Sequence, residues 1–207
     1  MVCKMIETFN SKFMKKILFA LLLSLFVFVG YLFYNSFNFE SKQLNVEAIN
    51  PIKVNENAVK NFSEALKIKT ISPENQVDFD STQFRLFASF LEKTYPLVDS
   101  LLEKKVFNEF SFLYKLEGSE PNLKPIVLMA HLDVVPVIEK NLADWKQDPF
   151  AGKVIDGVIW GRGTIDDKVS VIGIMEALEL LLQENFKPKR SIYISFGHDE
   201  EIGGVNG

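Results

Sequence analysis

The pattern of apolar and polar positions changes character several times along the chain. Residues 17–34, IleLeuPheAlaLeuLeuLeuSerLeuPheValPheValGlyTyrLeuPheTyr, carry no charge and show no polar face. As a helix this run reaches about 27 Å at 1.5 Å per residue, close to the ~30 Å hydrocarbon core of a bilayer. A helix that is apolar all round fits lipid better than the surface of a globular domain. Lys4, Lys12, Lys15 and Lys16 precede the run against Glu7 alone, and Glu40 follows it. That bias leaves the N-terminus in the cytoplasm and the remainder outside. The run ends in bulky residues, Tyr31, Phe33 and Tyr34, without the small residues of a signal-peptidase site, so an uncleaved anchor is expected over a cleaved signal. The expected division is a cytoplasmic N-terminus at 1–16, an anchor at 17–34, a polar spacer at 35–54 that includes Pro51, and a folded domain from 55.

Helical and extended periodicities alternate beyond the spacer. Ala58, Val59, Phe62, Ala65 and Leu66 recur at helical spacing between Asn55 and Leu66. A second helix, with Ser81 as its cap, aligns Phe84, Phe87, Phe90 and Leu91 on one face before Pro96. Phe110, Phe112, Tyr114 and Leu116 alternate with Ser111 and Lys115, a strand ending near Gly118. Residues 125–130, ProIleValLeuMetAla, form a short apolar strand leading into His131. Asp156-Gly157, between two ValIle pairs, suits the tight turn of a hairpin over 153–160. A helix over Val171–Leu182 and a strand at 191–196, SerIleTyrIleSerPhe, complete a strand–helix–strand order. That order predicts a parallel βαβ unit in an α/β domain with a mostly parallel central sheet flanked by helices.

Composition narrows the picture in two ways. Net charge is −4 with no basic stripe, which argues against a nucleic-acid partner. The single cysteine, Cys3, excludes an internal disulfide framework and a cysteine-rich metal site, and with only His131 and His198 any metal site must lean mainly on carboxylates.

Three chemically loaded clusters fall at the ends of predicted elements. They are Ala130-His131-Leu132-Asp133-Val134-Val135-Pro136 after one strand, Gly161-Arg162-Gly163-Thr164-Ile165-Asp166-Asp167-Lys168 before a helix, and Gly197-His198-Asp199-Glu200-Glu201-Ile202-Gly203-Gly204 after the other strand. In open α/β sheets ligands bind beyond the carboxyl ends of strands. Consecutive acids gathered near Asp166 would repel one another, and a divalent cation relieves that repulsion. Imidazole with carboxylates suits zinc or a similar first-row metal. His131 and Asp133, two apart in extended backbone, share a side, so the carboxylate can hold the ring nitrogen that faces away from a metal.

Each cluster alone has a plainer reading. A histidine after an apolar strand is usually a satisfied near-core residue, an acidic run is usually a solvated turn, and Gly161-x-Gly163 is too short a fragment for a dinucleotide loop because the third glycine position holds Asp166. Three such clusters at the loop ends of one βαβ unit favour a shared site.

HisLeuAspValValPro, GlyArgGlyThrIleAspAspLys and GlyHisAspGluGluIleGlyGly, together with TrpLysGlnAspProPheAlaGly at 145–152 and TrpGlyArgGly at 160–163, resemble the aminoacylase/carboxypeptidase family of di-zinc peptidases, metallopeptidase family twenty. Within it the resemblance is closest to the branch of carboxypeptidase S and the secreted N-acyl-amino-acid hydrolases, and it runs from about Ala58 to Gly207. It implies a zinc-peptidase-like α/β fold and two Zn2+ ions, with Co2+ or Mn2+ as substitutes. His131 would bind one ion, Asp166 would bridge both and Glu201 would bind the other. Glu200 would be the general base for hydrolysis of an amide bond in a peptide or N-acyl amino acid, and Asp133 the partner of His131. His198, Asp167 and Asp199 lie in the motifs but are not expected as ligands.

The family pattern also implies further ligands, including a second histidine, downstream of the third motif, and a dimerisation domain that gives a possible homodimer. Residues 55–207 therefore read as the N-terminal part of such a catalytic domain, incomplete, and the isolated chain is expected to bind metal weakly and to be inactive. Two other readings stand beside the membrane-tethered hydrolase: a biosynthetic deacylase of the acetylornithine or succinyl-diaminopimelate type, which the anchor disfavours, and an inactive membrane-anchored remnant.

Overall fold

The computed structural model describes residues 2–43, 46–47 and 54–207, without the side chains up to residue 12 or that of Gln76. The side chains of Lys4, Glu7 and Lys12 in the expected cytoplasmic segment, and spacer positions 44–45 and 48–53 with Pro51, lie outside the described residues. The chain forms two units, Met1–Pro51 and Ile52–Gly207.

In the first unit helix α1 spans Val2–Phe37, and its segment Phe13–Phe37 is long and apolar enough to cross a membrane, with mean hydropathy 2.5. Large side chains on all sides of it are exposed, Phe19 at 69% and Phe26 at 76%, as expected of a helix without a polar face. The helix exceeds the 17–34 run at both ends, because Met, Phe and Asn neighbours do nothing to stop it and neither Gly nor Pro stands in the flanking turns 13–16 and 35–37.

The second unit begins with α2, Glu56–Lys67, capped by the Asn55 side chain accepting the Asn57 N–H at 2.9 Å. Helix α3, Ser81–Thr94, is capped by Asp80, which accepts the Thr82 N–H at 3.0 Å; Ser81, the expected cap, is instead its first residue. Phe84, Phe87 and Leu91 are its buried stripe. Helix α4, Pro96–Leu101, was not evident from periodicity because it has barely more than one turn. Pro96 opens it at a position that needs no N–H donor. The cap comes from another helix: the buried carboxylate of Glu179 accepts the N–H groups of Leu97 and Val98, each at 3.1 Å.

The main sheet has the order β1-β2-β6-β3. Strands β1 (Glu103–Phe107) and β2 (Ser111–Leu116) are an antiparallel hairpin, and β2 pairs antiparallel with β6 (Ile192–Gly197). Strand β3 (Ile126–His131) pairs parallel with β6, joined through α5 (Lys168–Gln183). The expected βαβ unit is therefore present, but the sheet is mixed, not mostly parallel. The cause is the short connection at Asn108 and Glu109, both at positive φ: so tight a turn can only join antiparallel strands. β1 escaped sequence reading because GluLysLysValPhe is a polar edge strand. Strands β4 (Lys153–Ile155) and β5 (Val158–Trp160) form the separate expected hairpin, with Asp156 and Gly157 at φ 51° and 77° as a type I′ turn requires.

Helices α3, α4 and α5 close over one face of the sheet. Phe112, Tyr114, Ile194 and Phe196 are buried there with Phe87, Leu91, Val98, Val171 and Met175. Burial of side chains this size contributes about 1.5–3 kcal/mol each. β3 is the outer strand, and Val127 and Met129 are exposed, at 55% and 74%.

Candidate metal centre

Parallel pairing of β3 with β6 decides which loops meet. The register sets His131 opposite Gly197, and the Leu132 N–H donates to the Gly197 carbonyl at 2.7 Å. The first and third clusters thus leave the sheet side by side. The second precedes α5, the crossover helix between the same strands, so it returns to the same edge.

Asp133 joins the two strand-end loops. It is fully buried, and its two carboxylate oxygens accept the backbone N–H groups of Glu200 at 3.2 Å and Glu201 at 3.1 Å. Its Oδ1 also lies 3.3 Å from His131 Nδ1, while its own carbonyl lies 3.1 Å from that nitrogen. The expected His131–Asp133 partnership is there; the bridge to the third loop was not foreseen, since nothing in the spacing shows which amides a buried carboxylate will find. Burial pushes the Asp133 carboxyl up, but hydrogen bonds from His131 and the Glu201 amide more than offset it and hold the group below the usual carboxylate range.

The other ring nitrogen of His131 faces outward. Nε2 lies 2.9 Å from Asp166 Oδ1 and 3.7 Å from Glu200 Oε2. One ligand atom each from His131, Asp166 and Glu201 fall within 4.8 Å of one another. Hydrogen bonding to Asp133 outweighs the opposing effect of burial, and Asp166 adds to it, so His131 is pushed up to about 9. Burial, then the charge of Asp166, raises Glu201. An imidazole held by a carboxylate behind it, with two carboxylates in front, is a donor set that fits a divalent first-row ion. Three of the expected residues therefore converge, and Glu200 stands at the rim, its side chain 64% exposed. A cavity of about 280 Å³, lined by Met129, His131, Asp167, Ser195, Gly197 and Glu200, opens beside it.

The residues not expected as ligands have other partners. His198 is buried, its Nδ1 2.6 Å from Ser111 Oγ, with Phe84 and Phe110 edge-on to its ring; burial lowers its pKa. Asp199 accepts the Asn206 backbone N–H at 2.8 Å. Asp167 precedes α5 and is hydrogen-bonded to Ser170; the Asp166–Asp167 peptide is cis.

Sequence reading missed the segment beneath the first loop. Ile71 bridges Val134, Thr70 Oγ1 donates to the Leu132 carbonyl at 2.6 Å, and Ser72 Oγ donates to the His198 carbonyl at 2.9 Å. ThrIleSer has no periodicity long enough to announce this role. Lys168, fully buried, was also missed.

Such a fold, with an imidazole and carboxylates gathered past the carboxyl ends of two parallel strands, defines an α/β domain with a candidate divalent-metal centre. Residues 127–207 match the model of peptidase family M20/M25/M40. It is 41% identical over 182 residues to a protein described as probable carboxypeptidase S-like 2 of Dictyostelium discoideum, covering 84% of this chain and 35% of that protein. It is 44% identical over 145 residues to the N-fatty-acyl-amino acid synthase/hydrolase PM20D1 of Xenopus tropicalis, covering 69% of this chain and 28% of that one. The chain thus spans about a third of the length of these relatives. Its fold is similar to human carnosine dipeptidase 1, with TM-score 0.60 and 22% identity over 73% of this chain and 33% of the other.

Proposed function

We propose that the chain carries residues of a metal-dependent centre that hydrolyses amide bonds of peptides or N-acyl amino acids. The carrying observation is the convergence of His131, Asp166 and Glu201 within 4.8 Å. Relatives described as a carboxypeptidase and as an N-fatty-acyl-amino acid hydrolase support the substrate class. In this reading His131, Asp166 and Glu201 hold zinc, with cobalt or manganese as substitutes. The ion supplies a Lewis acid that brings the pKa of water to about 7.

The chain's own residues do the rest. Asp133 fixes the ring of His131 and the amides of Glu200 and Glu201. Glu200, exposed at the rim and 3.7 Å from His131 Nε2, is the general base: it takes a proton from water and delivers it to the leaving nitrogen. α1 tethers the domain to a membrane with the domain outside the cytoplasm; release after signal cleavage is the competing reading.

The test is a Co2+ or Zn2+ titration of the full chain in detergent micelles. Saturable binding that His131→Ala abolishes is the expected result. Equal binding by wild type and His131→Ala would overturn the centre as assigned.

A further inference from the structure

Lys168 is fully buried, an unusual place for a lysine unless its head group is satisfied. Its Nζ donates to the carbonyls of Ala65 at 3.0 Å and Ile68 at 2.5 Å. These carbonyls, at the end of α2, also accept the backbone N–H groups of Ile68 at 3.4 Å and Thr70 at 3.0 Å, so the ammonium takes up their second lone pairs and ties the helix end to α5. The same Nζ stands 4.9 Å over the Phe87 ring of α3. Two N–H donors suffice for two carbonyls, so the bonds survive in either charge state of the amine.

The backbone of Lys168 faces the second loop. Its N–H donates to the Gly163 carbonyl at 3.1 Å, closing residues 163–168 into a ring, and its stem packs at the place a Cβ on Gly163 would approach. Asp166 lies inside this ring. Its own side chain is 70% exposed and touches His131, so its direction is set by the backbone and not by packing.

We infer that Lys168 is a positioning residue: by clamping the end of α2 to the second loop it aims the Asp166 carboxylate at His131. This rests on Asp166 being a metal ligand. Lys168 touches neither substrate nor ion; it acts through the loop, as a supporting partner does for a ligand it orients.

The experiment measures Co2+ affinity and thermal unfolding of the full chain in micelles for wild type, Lys168→Met, Lys168→Gln and the core control Leu91→Ala. Met keeps the stem and loses the donors, while Gln keeps a donating amide. The expected result is a loss of affinity of about tenfold to a hundredfold in Lys168→Met, a smaller loss in Lys168→Gln, and unchanged affinity in folded Leu91→Ala. Wild-type affinity in Lys168→Met, or an equal loss in Leu91→Ala, overturns the inference. Should Lys168→Met fail to fold, Lys168→Gln decides: affinity equal to wild type overturns it, and a loss absent from Leu91→Ala supports it. No Co2+ binding by wild type would instead sink the metal reading on which it stands.

Discussion

The Glu201 backbone N–H donates to Asp133 Oδ2 at 3.1 Å, so a buried carboxylate under the first loop sets the direction of the third. Asp133→Ala deletes that bond, its counterpart to Glu200 and the contact with His131. The expected effects are a stability loss of about 2–4 kcal/mol, from charge-assisted hydrogen bonds removed in a buried place, and metal affinity weaker by about tenfold or more. Thermal unfolding and Co2+ titration read the two separately. Affinity unchanged in Asp133→Ala would show that the third loop holds its course unaided.

Metal affinity should depend on pH through His131. Raised to about 9, the ring is protonated at neutral pH in the metal-free protein and must lose that proton to become a ligand. Affinity therefore rises with pH, by about tenfold per unit below 9, and levels above it. The sign for metal-free stability is opposite. A raised histidine pKa stabilises the folded state fully below its unfolded value and progressively loses that contribution as pH rises through about 9. Calorimetric titration in two buffers of different ionisation enthalpy counts the protons released; none released at pH 7 would refute the assignment.

Gly163 adopts φ +85°, and a Cβ there would stand 2.8 Å from Val134 Cγ1. Gly163→Ala is expected to cost about 1–3 kcal/mol from backbone conformation alone, and to weaken metal binding by displacing the loop that carries Asp166. A melting temperature and Co2+ affinity both equal to wild type would mean the loop accommodates the methyl group.

Glu200 and Glu201 are neighbours with different predicted roles. Glu201→Ala should lose metal, whereas Glu200→Ala should keep it and, in the intact enzyme, lower turnover of an N-acyl amino acid by about 10²–10⁴-fold. Metal content measured beside turnover separates the roles, and full activity in Glu200→Ala would remove the general base from the proposal.

The segment Phe13–Phe37 predicts membrane association. Expressed in cells, the chain is expected in the membrane fraction after alkaline carbonate extraction, with its original N-terminus. A soluble product beginning beyond Tyr34 would mean the helix is a cleaved signal.

The extent of what local patterns reveal differs between the fold and the site. The apolar run of α1, the helical stripes Phe84–Phe87–Leu91 and the Asp156-Gly157 turn are local: each is decided by neighbouring residues, so periodicity finds it. The same holds for the candidate ligands, because imidazole and carboxylate at strand ends are chemically conspicuous wherever they stand. β1 and α4 were hidden because a polar edge strand and a short helix carry too few apolar positions to show a period.

The amino-acid sequence by itself nominated the candidate residues, His131, Asp133, Asp166, Glu200 and Glu201, and determined that a parallel βαβ unit would carry them. Only the tertiary structure decided their arrangement. Register between β3 and β6, the burial of Asp133 beneath two foreign amides and the anchoring of Lys168 on the end of α2 join residues 66 to 103 positions apart. Such contacts depend on which backbone groups come within reach across the fold, and no local pattern encodes that.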